Sequence, residues 1–95
     1  MSYHVYILYS KKINRFYVGQ TSDLNNRFTE HNSEESPYTS QGIPWILLWS
    51  TIKPSLRAAE DLEEKLKNLS RVRKMRFMRK YSNGIFDEGL LNELI

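Results

Sequence analysis

YHVYILYS, Tyr3 to Ser10, is the stretch on which the fold turns. It is rich in aromatic and β-branched residues and contains neither Gly nor Pro, the make-up of a β-strand. Side chains alternate along a strand, so Val5, Ile7 and Tyr9 share one face and Tyr6 and Leu8 the other. A polar turn, KKIN (Lys11–Asn14), leads into RFYVGQ (Arg15–Gln20), a second and shorter strand, and the two make a hairpin. Gly19 reads as the point that lets the chain turn closely out of this strand into the next helix.

Working outward, TSDLNNRFTEHN (Thr21–Asn32) opens with hydroxyl residues and an Asp that can cap a helix and favour its positive end. Leu24 and Phe28 give that helix an apolar stripe at i, i+4. Ser33–Pro44 is small, polar and punctuated by Pro and Gly, hence loop. WILLWST (Trp45–Thr51) is a third, largely buried strand. Lys53–Ser70 is a helix with Ser55 as its cap and Leu56, Ala59, Leu62, Leu66 and Leu69 as its stripe. A shorter basic helix runs to about Tyr81, where Ser82-Asn83-Gly84 stops it. The expected order is β-β-α-β-α-α, an α+β domain with helices flanking a small three-stranded antiparallel sheet. The domain is expected to span residues 1–82, with 83–95 as a tail that forms a short helix packed on it.

The chain has 95 residues, enough for one domain that buries roughly 60–70% of its unfolded surface. It has no cysteine, which excludes disulfides and thiolate zinc sites. No charged segment followed by an apolar run marks a secretory signal, and no stretch reaches the roughly 20 apolar residues of a membrane span. The expectation is a soluble, cytoplasmic protein without a membrane partner.

The net charge is only +3, but ten of the fourteen Lys and Arg residues fall between Lys53 and Lys80. Within RVRKMRFMRK, Arg71, Arg73, Lys74, Arg76, Arg79 and Lys80 are basic and no residue is acidic. A polyanion is the natural partner, and nucleic acid the commonest one. A solvated helix face is the plainer alternative.

Arg27 and His31 are four apart and stack on one flank of the Leu24–Phe28 stripe, placed to face a cleft. Arg suits paired donation to a phosphate, and His carries protons near neutral pH. On the long helix, the apolar stripe centres at about 280° when Leu56 is set at about 0°. Of Glu60, Asp61, Glu63 and Glu64, only Glu63 then falls inside the angular span of the apolar residues. A carboxylate held against a core needs a partner, which a divalent cation or a nearby Lys or Arg can supply.

VYIL and YVG, with Tyr6 and Tyr17 eleven residues apart, resemble the paired motif that names the GIY-YIG nuclease family. The segments VGQTSDLNNRFTEHN, PYTSQGIPWILLW and AAEDLEEKLKNLSRVRK are similar to those of its small stand-alone bacterial members. The resemblance covers Tyr3 to about Lys80. It implies that Tyr6 and Tyr17 line an active site from adjacent strands and that Arg27 contacts the scissile phosphate. It matches His31 to a histidine of this subgroup, and Glu63, in EEKLK, to the single metal-binding glutamate. His4 stands where the family has its first glycine. The implied activity is metal-dependent hydrolysis of DNA, with RNA as a second possible substrate, in repair or in the processing of unusual DNA structures. The implied cofactor is one Mg²⁺ or Mn²⁺. Tyr6, Tyr17 and His31 are all open as the proton acceptor. The competing readings are cross-strand packing for the two tyrosines and, for the whole chain, a nucleic-acid-binding module that does not cut.

Overall fold

Tyr3–Ser10 forms β1, the central strand of a three-stranded antiparallel sheet, in the computed structural model of the protein. The structure describes residues 2–34 and 37–94; Met1, Glu35 and Ser36 of the expected loop, and Ile95 at the end of the expected tail lie outside it. Arg15–Thr21 is β2 and Trp45–Lys53 is β3, and the strand order is β2-β1-β3. From Val5 to Ser10 every residue of β1 is buried, because both of its faces are covered.

The Val5, Ile7 and Tyr9 face packs with Leu48, Trp49, Ala59, Leu66, Met78, Leu90 and Leu91. These come from β3 and from α2 (Leu56–Lys67), α3 (Arg71–Lys80) and α4 (Glu88–Glu93). The Tyr6 and Leu8 face packs with Trp45 and with Leu24 and Phe28 of α1 (Leu24–His31). The helices therefore divide unequally, one over the Tyr6 face and three over the other. The fold is α+β, a three-stranded antiparallel sheet flanked by helices, as the alternation in β1 predicts.

Each helix starts where a short polar side chain can accept a backbone N–H. Asp23 accepts from Asn26, Ser55 from Ala58, Ser70 from Arg73 and Asp87 from Leu90. Such caps are typically worth about 1 kcal/mol each. Leu56 departs from the expected stripe of α2. It sits in the first turn, short of the sheet, and is 43% exposed.

Two tethers hold the elements in place. In the hairpin turn Asn14 has φ 53°, a conformation that Asn tolerates well. Its side-chain oxygen accepts from Tyr9 Oη at 2.6 Å and from the Arg71 guanidinium at 2.8 Å, which ties α3 to the hairpin. Just after α1, the Asn32 amide bonds both backbone groups of Trp45, at 3.0 and 2.5 Å, and so sets where β3 begins. Among the described residues no helix is long and apolar enough to cross a membrane.

Gly19 plays a different part from the expected one. It sits inside β2, directly opposite Tyr6 in the β1–β2 register, and no described glycine has a positive φ. A Cβ there would lie 2.4 Å from Tyr6 Oη and 2.6 Å from Tyr6 Cζ. The missing side chain is what lets the Tyr6 ring lie across β2. Gly19→Ala is therefore expected to lower stability by about 1–3 kcal/mol, the usual cost of overpacking. In a Tyr6→Ala background the same change should cost far less, and a denaturant-based double-mutant cycle measures the difference. Additive costs would show that Gly19 is needed for some other reason.

Candidate active site

The Tyr6 ring crosses Gly19, and its hydroxyl ends 2.9 Å from His31 Nε2. His31 closes the last turn of α1, and its Nδ1 lies 3.1 Å from Thr39 Oγ1. All three residues are at most 1% exposed. Thr39 is fixed in turn by its carbonyl, which accepts from Trp45 Nε1 at 2.6 Å and from the Gly42 N–H at 3.1 Å. The result is a buried hydrogen-bonded chain, Tyr6–His31–Thr39, running from the central strand through the helix end into the loop.

A neutral imidazole satisfies this chain at rest. With one protonated nitrogen, His31 donates to one hydroxyl and accepts from the other, and either tautomer satisfies all three side chains. Burial, and then the Arg27 charge, push its pKa down from 6.5 to about 4. Burial, followed by the neighbouring Tyr17, drives the Tyr6 phenol well above its ordinary value, with Glu63 adding to the rise and Arg27 opposing it. In the resting protein both groups are uncharged at neutral pH.

Tyr17 is half-buried and borders the same chain. Its ring centre lies 4.7 Å from that of His31, 6.1 Å from Trp45 and 6.4 Å from Tyr6. Arg27, one turn before His31, is about one-third exposed and pairs with Glu30 at 2.8 Å. Among the four acidic residues of α2, Glu60, Asp61 and Glu64 are exposed, and Glu63 is the one whose side chain is shielded, at 21% exposed. Its carboxylate meets Lys67 Nζ at 3.1 Å. The helical-wheel expectation for Glu63 matches its burial, and its charge is near enough to act on Tyr6.

Among the described residues no group of three or more His, Cys, Asp and Glu side chains could enclose a metal ion. A single partly shielded carboxylate still suits Mg²⁺, which binds through one or two carboxylates and completes its shell with water and phosphate. Glu63 fits that role. Lys67, at 54% exposed, can swing away from it.

The sheet thus brings together Tyr6, Tyr17, Arg27 and His31, with Glu63 in electrostatic reach. His31 differs from its expected placement: it is enclosed behind Tyr6 instead of facing a cleft. The cations of α3 are not part of this cluster, because α3 packs on the opposite face of the sheet. Arg71 is turned to Asn14 and lies over the Phe16 and Tyr9 rings, at 5.1 and 5.8 Å. Lys74 donates to the Leu69 carbonyl, and burial lowers its pKa. Arg79 donates to Asn92 in α4. Arg73, Arg76 and Lys80, with Lys65 of α2, line a surface groove of about 430 Å³. Sequence reasoning missed Thr39 and Lys65. A threonine in a loop carries no periodic signal, and Lys65 is a lysine on a charged helix.

The class to which this fold belongs is a nuclease catalytic domain. Residues 2–76 match the GIY-YIG catalytic domain, and the chain belongs to the GIY-YIG family. It is similar to the UPF0213 protein BH0048 from Bacillus halodurans, whose solution structure superimposes with a TM-score of 0.56. The two are 32% identical, and the match covers 83% of this chain and 84% of that one. No curated protein sequence matches the chain significantly.

The depressed His31 pKa has a consequence for stability. Between about pH 4 and 6.5 the unfolded chain binds a proton that the folded one excludes, so stability rises with pH across this window. Acidification from neutral pH to 4 should cost on the order of 3 kcal/mol through this group. His31→Gln keeps an amide between the two hydroxyls and removes the titration. Its Tm should fall less over the same window, and an unchanged slope would assign the acid sensitivity to other groups.

Proposed function

We propose that the protein is a metal-dependent endonuclease that hydrolyses DNA phosphodiester bonds with water, working in repair or on unusual DNA structures. The observation that carries this reading is the buried Tyr6–His31–Thr39 chain opening onto Tyr17 and Arg27, beside the one shielded carboxylate of α2. A buried histidine bonded to a phenol has one evident chemical use here. As Tyr6 Oη accepts a proton from the attacking water, it can pass its own to His31 Nε2, which becomes an imidazolium whose Nδ1–H donates a hydrogen bond to Thr39 Oγ1. His31 then acts through Tyr6 and never touches the substrate.

Tyr17, the more exposed phenol, orients the water or a phosphate oxygen. Arg27 offsets the charge that builds on the phosphorus-bound oxygens, exchanging Glu30 for the phosphate as it does so. A divalent cation held by Glu63, Mg²⁺ or Mn²⁺, would polarise a phosphate oxygen, steady the leaving alkoxide and reverse the upward push of Glu63 on the Tyr6 pKa. Burial and Tyr17 still hold the Tyr6 phenol protonated, so it serves as a base by handing its own proton to His31 as it takes one from the water. Arg73, Arg76, Lys80 and Lys65 are proposed to contact the DNA backbone outside the cleavage site.

Labelled branched, nicked and plain DNA, incubated with Mg²⁺ or with EDTA, test this reading. Cleavage should occur with Mg²⁺ and stop in EDTA. Tyr6→Phe should lose roughly 10²–10⁴-fold in rate as a proton-transfer group. Arg27→Gln should lose about 10²–10³-fold as a charge stabiliser. Glu63→Ala should be inactive yet folded, whereas Glu60→Ala and Glu64→Ala should cut normally. DNA binding without cleavage under every condition would favour the non-cutting module.

The basic groove is tested separately. Replacing Arg73 and Arg76 with Gln should make the slope of log K against log salt shallower by up to about two units on duplex DNA. It should weaken all sequences alike and leave cleavage of bound substrate unchanged. An unaltered slope would mean that this face is merely solvated.

A further inference from the structure

Beside Tyr17 the surface opens into a pocket of about 600 Å³. Its walls are Ile13 and Arg15 from the hairpin, Tyr17, and Tyr38, Gln41 and Trp45 from the loop and the start of β3. Tyr38 is 92% exposed, the most exposed large hydrophobic residue described. Among the described residues no ring packs on Tyr38, in contrast to the neighbouring Tyr17 and Trp45, which pack on each other. Packed aromatic rings on one wall, an uncovered phenol on another, an amide at Gln41 and a cation at Arg15 thus share one solvent-facing pocket.

Resting on the nuclease reading, the geometry points to a subsite for one unpaired nucleobase next to the scissile phosphate, with Tyr38 stacking on the base. Three features support this occupant. A base has a flat π-face that any aromatic ring can take, and each such stack is worth enough to matter for affinity. Gln41 offers both a donor and an acceptor to a base edge, while Arg15 carries the charge for the phosphate of the same nucleotide. The pocket also shares Tyr17 with the proposed site, so a base bound there lies close to the bond to be cut. A base inside a continuous duplex is stacked and cannot enter. The substrate class is therefore nucleic acid with an unpaired nucleotide at the cleavage point: a flap, a gap or a single strand.

The test uses the full chain and a short single-stranded oligonucleotide bearing a fluorescent purine analogue, alongside an uninterrupted duplex of the same sequence. Binding should quench the analogue. Tyr38→Ala, a change at an exposed position that should not disturb folding, should weaken the single strand roughly ten-fold, and Tyr38→Trp should restore it. Duplex affinity should stay at its wild-type value in both variants. Loss of single-strand and duplex binding in equal measure, or no loss in Tyr38→Ala, would overturn the subsite. Cleavage is scored on the same DNAs and on a flap. Tyr38-dependent quenching without any cleavage would retain the subsite while rejecting the nuclease reading, and cleavage of flap and plain duplex at equal rates would reject the subsite alone.

Discussion

A phenol in the middle of the central strand has a hydroxyl that must find a partner where water does not reach. Tyr6 is 1% exposed, and leaving its hydroxyl unpaired would cost about 1–3 kcal/mol. The solution constrains three separate parts of the chain. β2 must carry no side chain opposite Tyr6, α1 must end with a histidine at the right height, and the loop after α1 must return a hydroxyl to the far nitrogen of that histidine. Gly19, His31 and Thr39 meet these demands, and no buried side-chain nitrogen or oxygen among the described residues is left without a partner. The position of α1 on the sheet is held by this bond together with the packing of Leu24 and Phe28.

Local pattern carried much of this into the sequence. Strand alternation in Tyr3–Ser10 predicts the two faces of β1 residue by residue, because period-two burial depends only on the strand itself. Ser55 and the α2 stripe from Ala59 onward are readable from local pattern too, and so is the partial burial of Glu63. What escapes is whatever depends on a partner distant in sequence. Gly19 reads as a turn residue until the register shows Tyr6 opposite it. His31 reads as cleft-facing until the loop closes over it, and Arg71 reads like its five basic neighbours until Asn14 is found beside it. Pattern gives the face on which a side chain lies, but not what comes to cover it.

The charged residues of the site rest in local pairs. Arg27 holds Glu30 three residues on, and Glu63 holds Lys67 four residues on. Partly exposed pairs of this type are worth about 0–1 kcal/mol, so either can be exchanged for another partner at small cost. Pairing also limits the repulsion or desolvation that an isolated charge would impose on the neutral Tyr6–His31 pair. The site is therefore organised by its uncharged hydrogen bonds, while its charges remain exchangeable.

The Asn32 amide, which bonds both the N–H and the carbonyl of Trp45, acts as a one-residue strand laid along the outer edge of β3. Further along that edge Phe86 donates to the Leu48 carbonyl, and Trp49 bridges to Ile85. An exposed strand edge is a template on which another chain can add, and proteins commonly cover such edges. Here much of one edge is already occupied by the chain's own polar groups. A second copy that tried to extend the sheet through β3 would have to displace the bonds at Trp45, Leu48 and Trp49, so growth by edge-to-edge pairing is blocked on this side.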